Sequence, residues 1–257
     1  MAEYFQINDL ELSQQNGYFV TKAGSCILTS PNGNIIKSAT TKLHERIVSD
    51  FENQGEIIVE NGYILQPRVF SAYVLASSKI DFFEQSESRY PKELPAWLMH
   101  DPVFDITAGH PICSNYQISS QSFIADFMEE YNLKLKPFQK YNEEEKLNVI
   151  SFFCSIVAQF NAAEQSVLVN MAWEHEKHFV ATILWILGLC TARQWATVVF
   201  ARSSDVGIIA GSKQFNDFIS VPLEKGNDSI DEEIEFTLSQ YMTVCDIAKN
   251  FLEAVQE

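Results

Sequence analysis

Hydrophobic and polar residues alternate loosely through the first quarter of the chain, and three Asn-Gly pairs interrupt the alternation: Asn16-Gly17, Asn32-Gly33 and Asn61-Gly62. A period of two marks a half-buried strand. Asn-Gly is the strongest short hairpin signal, because both residues tolerate the positive φ of a type I′ turn. Residues 4–12 therefore read as a strand. Asn16-Gly17 turns it into residues 18–22, Ala23-Gly24-Ser25 turns that into 26–29, and Pro31-Asn32-Gly33 turns again into 34–37. The result is a meander of about four strands. A helix follows, capped by Thr40 or Thr41, with Leu43, Ile47 and Phe51 on one face and Gly55 as its left-handed stop. His44, Glu45 and Arg46 fall on its outer face. Residues 56–59 and 63–65 flank the third Asn-Gly as a last hairpin, and the Leu43 helix is the natural cover for the apolar side of such a sheet.

From Pro67 onward the spacing changes. Residues 67–83 are apolar and small and predict a linking helix; residues 86–95 are polar, contain Pro91 and Pro95, and read as a hinge. Phe123, Phe127 and Tyr131 recur at helical spacing, as do Leu147, Ile150, Cys154 and Val157. The run Glu143-Glu144-Glu145 reads as a solvated first turn. Asn161 with Glu164, Thr191 with Gln194 and Ser229 with Glu232 have capping-box spacing. The last opens a helix carrying Ile234, Leu238, Tyr241, Cys245, Ala248 and Leu252 on one stripe, and residues 213–226 before it read as a surface loop. The fold class is α+β: a small N-terminal sheet-rich domain with a covering helix (residues 1–85), then a larger orthogonal multihelical bundle (residues 86–257).

Charge narrows the function. With 18 Lys and Arg against 34 Asp and Glu, the 257 residues carry a net charge of -16. Nucleic acid and anionic membrane surfaces are disfavoured as partners, since phosphate binding needs clustered cations. The balance suits a protein that is monomeric when free or that meets a basic protein. The five cysteines, at 26, 113, 154, 190 and 245, form no Cys-x-x-Cys clip and read as reduced thiols. The start MAEYFQINDL has neither a basic segment nor a long apolar core, which predicts a bacterial cytoplasmic protein or a mitochondrial matrix protein with its presequence removed. The most apolar run, residues 179–192, is about 14 residues, short of the roughly 20 that span a bilayer.

Reactive chemistry is sparse. In WEHEKH, His175 and His178 are spaced i, i+3, not the i, i+4 of a zinc-protease helix. Glu174 and His178 at i, i+4 could share a metal with a distant ligand, which leaves a metal-dependent enzyme built on Glu174, His175 and His178 as an alternative. The other reading is a polar link between two buried helices. Cys113 lies near His110, but no nucleophile elbow and no phosphate-binding glycine loop occur. No cofactor and no resident metal are expected, and the balance favours a binding protein.

The order of elements in the head resembles the assembly chaperones that bind the alpha subunit of the F-type ATP synthase. That family opens with an aromatic strand, a glycine-aromatic turn and a Thr-Pro loop, then a helix ending in Glu-Trp-x-x-Gln-Gly. This chain has EYFQI, NGYFV, LTSPNGN and SATTKLHERIVSDFENQGEII. Pro31 and Gly33 lie in the loop, Phe51 takes the Trp position, Gln54 and Gly55 match, and Arg68 falls near the family's Thr-Arg. DIAKNFLEAV is similar to the closing helix. The resemblance implies a non-enzymatic role: holding the unassembled alpha subunit against aggregation until its beta partner arrives. It places the contact region at Arg202, Ser203, Asp205 and Gly211 with the helix leading to them. By count, Ser203 stands where the family carries a glutamate, and Ala210-Gly211 where it carries Trp-Gly. Those departures leave room for an acidic adaptor that has lost the original client.

Overall fold

The computed structural model describes residues 2–52, 56–65, 70–84, 86–104, 121–175, 177–200 and 228–256. Its strands are β1 (Ala2–Gln6), β2 (Leu10–Gln15), β3 (Tyr18–Ala23), β4 (Cys26–Ile27), β5 (Lys37–Ser38), β6 (Glu56–Glu60) and β7 (Tyr63–Ile64). Its helices are α1 (Lys42–Phe51), α2 (Ala72–Ser78), α3 (Leu94–Met99), α4 (Ser122–Glu130), α5 (Glu143–Val157), α6 (Ala162–Glu174), α7 (Phe179–Ile186), α8 (Ala192–Phe200) and α9 (Asp228–Val255). The fold is α+β, antiparallel sheets followed by helices. Contacts divide it into two compact units. One comprises Met1–Arg89, Phe160–Met171 and Asp246–Glu257; the other comprises Tyr90–Gln159 and Ala172–Cys245.

The first unit holds two antiparallel sheets, β1-β6-β7 and β2-β3-β4 with β5 also on β3. The single strand expected over residues 4–12 is broken by a 3-10 turn at Ile7–Asp9, where the Asp9 carboxylate accepts from the Gln6 N–H at 2.8 Å. The break sends β1 to β6 and β2 to β3, so the meander is shorter than its sequence suggests. β5 returns to β3 beside β4 rather than extending the meander outward. Asn16-Gly17 and Asn61-Gly62 have positive φ at both residues, as a type I′ turn requires. Asn32-Gly33 does not: Gly33 alone has positive φ, and its N–H donates to the Ser30 carbonyl at 2.9 Å across a turn led by Pro31.

Helix α1 covers β2 and β3, with Leu43, Ile47 and Phe51 buried. His44 corrects the sequence reading. It is fully buried rather than outward, its Nδ1 lies 2.9 Å from the Thr21 Oγ1, and burial lowers its pKa to about 4. The α1 stripe is wide enough to take i and i+1 together. The linking helix is α-helical only over Ala72–Ser78, then widens to a π turn at Lys79–Phe83. Tyr73 of α2 ties the two sheets: its hydroxyl donates to the Thr29 carbonyl and accepts from the Ile64 N–H, both at 2.8 Å.

In the second unit α3 packs on α5 and α7, α4 on α7, and α7 on α8. Pro95 stands in the first turn of α3 rather than in a hinge, a position where its missing N–H costs nothing. Two expected stripes rotate. In α5, Leu147 is exposed while Val149, Ile150, Phe153, Cys154 and Val157 are buried. In α4, Ile124 and Met128 are buried, and Phe127 and Tyr131 instead pack on Phe152 at 5.9 and 4.8 Å between ring centres. The Glu143–Glu145 run holds a capping box: Asn142 accepts from the Glu145 N–H and Glu145 from the Asn142 N–H, each at 2.9 Å.

Candidate functional site

The residues singled out for partner contact, Arg202, Ser203, Asp205 and Gly211, lie outside the described residues, as do Gln54, Gly55, Arg68, Cys113, His110 and the loop 213–226. The helix leading to the contact region is α8. Its cap is reciprocal: the Gln194 side chain accepts from the Thr191 N–H at 2.8 Å, and the Thr191 hydroxyl from the Gln194 N–H at 3.1 Å. Trp195 anchors it, fully buried, with its indole N–H donating to the Thr182 hydroxyl at 3.0 Å. Arg193 is left on the exposed side, where it forms an ion pair with Glu235 of α9. The helix is thus fixed on one face and charged on the other.

The described residues of the WEHEKH segment do not assemble a metal site. Helix α6 ends at Glu174, and Lys177 takes a left-handed φ of +67° while its N–H donates to the Ala172 carbonyl at 2.7 Å. That reversal removes the i, i+4 relation of Glu174 and His178 on one helix. Glu174 is exposed. His175 packs edge-on against Trp195 and Tyr241 at 5.4 and 5.3 Å, and burial lowers its pKa to about 4. His178 is buried at the start of α7. Among the described residues no cluster of three His, Cys, Asp or Glu could hold a metal ion. Cys26, Cys154, Cys190 and Cys245 stand as thiols, and burial pushes Cys154 to about 11 and Cys190 to about 12, so neither offers a thiolate near neutral pH.

Two buried or half-buried carboxylates escaped the sequence reading. Asp101 accepts from the Val103 N–H at 2.9 Å and from the Val180 N–H at 2.8 Å, closing the N-terminus of α7. Burial raises its pKa to about 7 despite these donors. Asp81, on the π turn, accepts from the Ser30 hydroxyl at 2.5 Å, the Asn34 amide at 2.8 Å and the Asn32 N–H at 3.2 Å. It pins the Pro31–Gly33 loop to α2's extension. The sequence signals were present, Asp101-Pro102 as a turn starter and a polar loop with spare donors, but neither names its partner.

That pinned loop walls a groove of about 580 Å³ in the first unit, lined by Gln15, Tyr18, Val20, Ile35, Lys37 and Ile80, among others. Tyr18 is 45% and Ile35 47% exposed, and the Lys37 ammonium lies 4.9 Å from the Tyr18 ring centre. In the second unit the half-buried Trp97 stacks on the buried Phe179 at 5.2 Å and meets the exposed Trp173 edge-on at 5.7 Å, with the Lys177 ammonium over Trp173. The groove, open and of mixed polarity, suits a protein partner better than a small molecule.

No protein-family model matches the sequence, and no curated protein matches it. Solved structures do. The Atu1473 protein from Agrobacterium tumefaciens, a candidate chaperone, aligns with a TM-score of 0.53 at 11% identity over 98% of this chain and 86% of that one. Atp12 from Paracoccus denitrificans aligns with a TM-score of 0.48 at 11% identity over 96% of each chain. At this identity the likeness to Atu1473 is one of fold. Among the described residues no helix is long and apolar enough to cross a membrane.

Proposed function

We propose that this protein is an assembly chaperone that holds the unassembled alpha subunit of an F-type ATP synthase and keeps it from aggregating until the beta subunit replaces it. The observation that carries the reading is the head. Its ordered series of turn, Pro31–Gly33 loop, Leu43–Phe51 helix and hairpin resembles the alpha-subunit chaperones in sequence. The whole chain also shares its fold with a candidate chaperone. The role asks for no reactive group. It asks for surface that substitutes for a missing subunit, and the net charge of -16 favours a basic patch on the client while opposing self-association. The free protein is then a monomer, in the bacterial cytoplasm or, after presequence removal, the mitochondrial matrix. Arg202, Ser203, Asp205 and Gly211, with α8, form its client contact.

The test is copurification from native extract, followed by measurement of alpha-subunit solubility in a deletion strain. Recovery of the alpha subunit, and its loss into the insoluble fraction on deletion, is the expected result. Unchanged solubility and unchanged synthase assembly would sink the proposal. A second reading rests on Ser203 and Ala210, which stand where the resembled family carries Glu and Trp. It makes the chain an acidic adaptor with another client, and a different copurifying protein would favour it.

A further inference from the structure

We infer that the free edge of β2 takes up an extended, basic segment of the client as an added strand, an inference that rests on the chaperone reading above. Among the described residues β2 pairs with β3 alone. Its register follows from the Asn16-Gly17 turn. Gln15 and Tyr18 close a two-residue turn and bond to each other, so alternate residues along β2 face away from β3. Leu12 and Gln14 are the residues that face away. The other side of β3 agrees: Thr21, opposite Leu12, gives its carbonyl to the Leu28 N–H at 2.8 Å and so is turned from β2. Among the described residues no backbone group bonds to the outward side of β2.

The edge is also undefended. Proline, lysine, bulges and covering helices are the usual means of blocking strand addition. β2 reads Leu-Glu-Leu-Ser-Gln-Gln, without proline, lysine or bulge; α1 packs on its face, and Glu11, Leu12 and Gln14 are exposed, Leu12 at 43%. A second copy of the chain is a poor occupant, since each carries -16. A basic client segment is a good one. Its backbone would bond to Leu12 and Gln14, an apolar side chain would lie against Leu12, and a Lys or Arg would lie on the outer side of Glu11, whose inner neighbour is Lys22 of β3. Ser13 and Gln15 pair with Val20 and Tyr18, so their side chains share the face that floors the 580 Å³ groove. Alternate side chains of an added strand would point to that face. Backbone bonds for affinity and pockets for alternate side chains are how strand addition achieves recognition.

Two measurements on the full chain with purified ATP synthase alpha subunit test this. Binding is measured first, and hydrogen exchange is then resolved to single amides. The Leu12 and Gln14 amides should exchange freely in the free protein and slow at least about tenfold in the complex, whereas Ser13 and Gln15 are protected in both. Leu12→Pro removes an outward N–H only, so it should leave the melting temperature close to wild type and weaken binding about tenfold or more. Gln14→Lys, which does not touch the backbone, should weaken binding several-fold, and Gln14→Glu should not. Binding with unchanged exchange at Leu12 and Gln14, or wild-type affinity in both Leu12→Pro and Gln14→Lys, overturns the strand-addition inference alone. No binding of the alpha subunit overturns the chaperone reading, and this inference falls with it.

Discussion

Asp101 couples the stability of the helical unit to pH in an unusual direction. Its carboxylate oxygens hold the N–H groups of Val103 and Val180 at the buried start of α7. Burial raises its pKa from 3.8 to about 7. A carboxyl whose folded pKa lies above its unfolded one favours the fold when protonated. Its contribution is full below 3.8 and is lost as pH rises through about 7. Each pH unit is worth about 1.4 kcal/mol, so the whole change is about 4 kcal/mol and the part between pH 5 and 8 is about 3 kcal/mol. Asp101→Asn copies the shape of the neutral acid and cannot ionise. At pH 5 it should be less stable by about 1–3 kcal/mol, because an amide NH₂ replaces one acceptor facing a buried N–H. Raising the pH to 8 should move the difference by about 3 kcal/mol in the variant's favour, enough to cancel or reverse it. Urea unfolding followed by tryptophan fluorescence reads this, since Trp97, Trp173 and Trp195 belong to the same unit. Parallel stability curves for the two proteins from pH 5 to 8 would refute the argument, because they require a carboxyl that ionises as easily folded as unfolded.

Three further outcomes follow from single residues. His44, with its pKa lowered from 6.5 to about 4, stabilises the fold fully above pH 6.5. It should lose about 3 kcal/mol of that as pH falls through 4, and a pH titration of stability in His44→Gln should be flatter over that window. Gly62→Ala places a Cβ 2.5 Å from the Ile27 carbonyl oxygen at φ +90°, whereas Gly17→Ala meets nothing at φ +83°. Denaturant midpoints should show a loss of about 1 kcal/mol for Gly17→Ala and at least about 3 kcal/mol for Gly62→Ala, and equal losses would contradict the close approach. Asp81→Ala removes an acceptor shared by Ser30, Asn32 and Asn34 and should cost about 1–3 kcal/mol, with faster amide exchange at Asn32 as its specific sign.

Local signals in the sequence were sufficient where a local rule decides the structure. Asn16-Gly17 and Asn61-Gly62 form the turns their composition predicts, Thr191 and Gln194 cap α8, and Leu43, Ile47 and Phe51 cover the sheet. The failures lie where a distant partner decides. His44 reads as a surface residue because nothing near it in sequence reveals Thr21, which lies on another strand. The α4 and α5 stripes rotate because Phe152 offers Phe127 and Tyr131 a place to pack without full burial, leaving Ile124 and Met128 for the core. WEHEKH looks like a ligand cluster only while it is imagined as one helix. The left-handed Lys177 ends that, and a lysine is an unexpected residue for such a position.

The three Asn-Gly pairs look interchangeable in sequence and perform different work in the fold. Asn61-Gly62 docks one sheet on the other: the Gly62 carbonyl accepts from the Thr29 N–H at 2.7 Å, and no side chain fits at Gly62 beside Ile27. Gly33 completes the Pro31-led turn that Asp81 pins as the wall of the groove. A Cβ at Gly17 would meet nothing within 4 Å, yet its turn sets the register of β2 and β3 and thereby decides that Leu12 and Gln14, not Ser13, present their backbone outward. A one-residue slip there would exchange the two sets. A turn with open space around its glycine is therefore the one on which the geometry of the proposed client edge most depends. A stability measurement on Gly17→Ala would read only the cost of its positive φ, and a binding assay is needed to reveal the turn's weight.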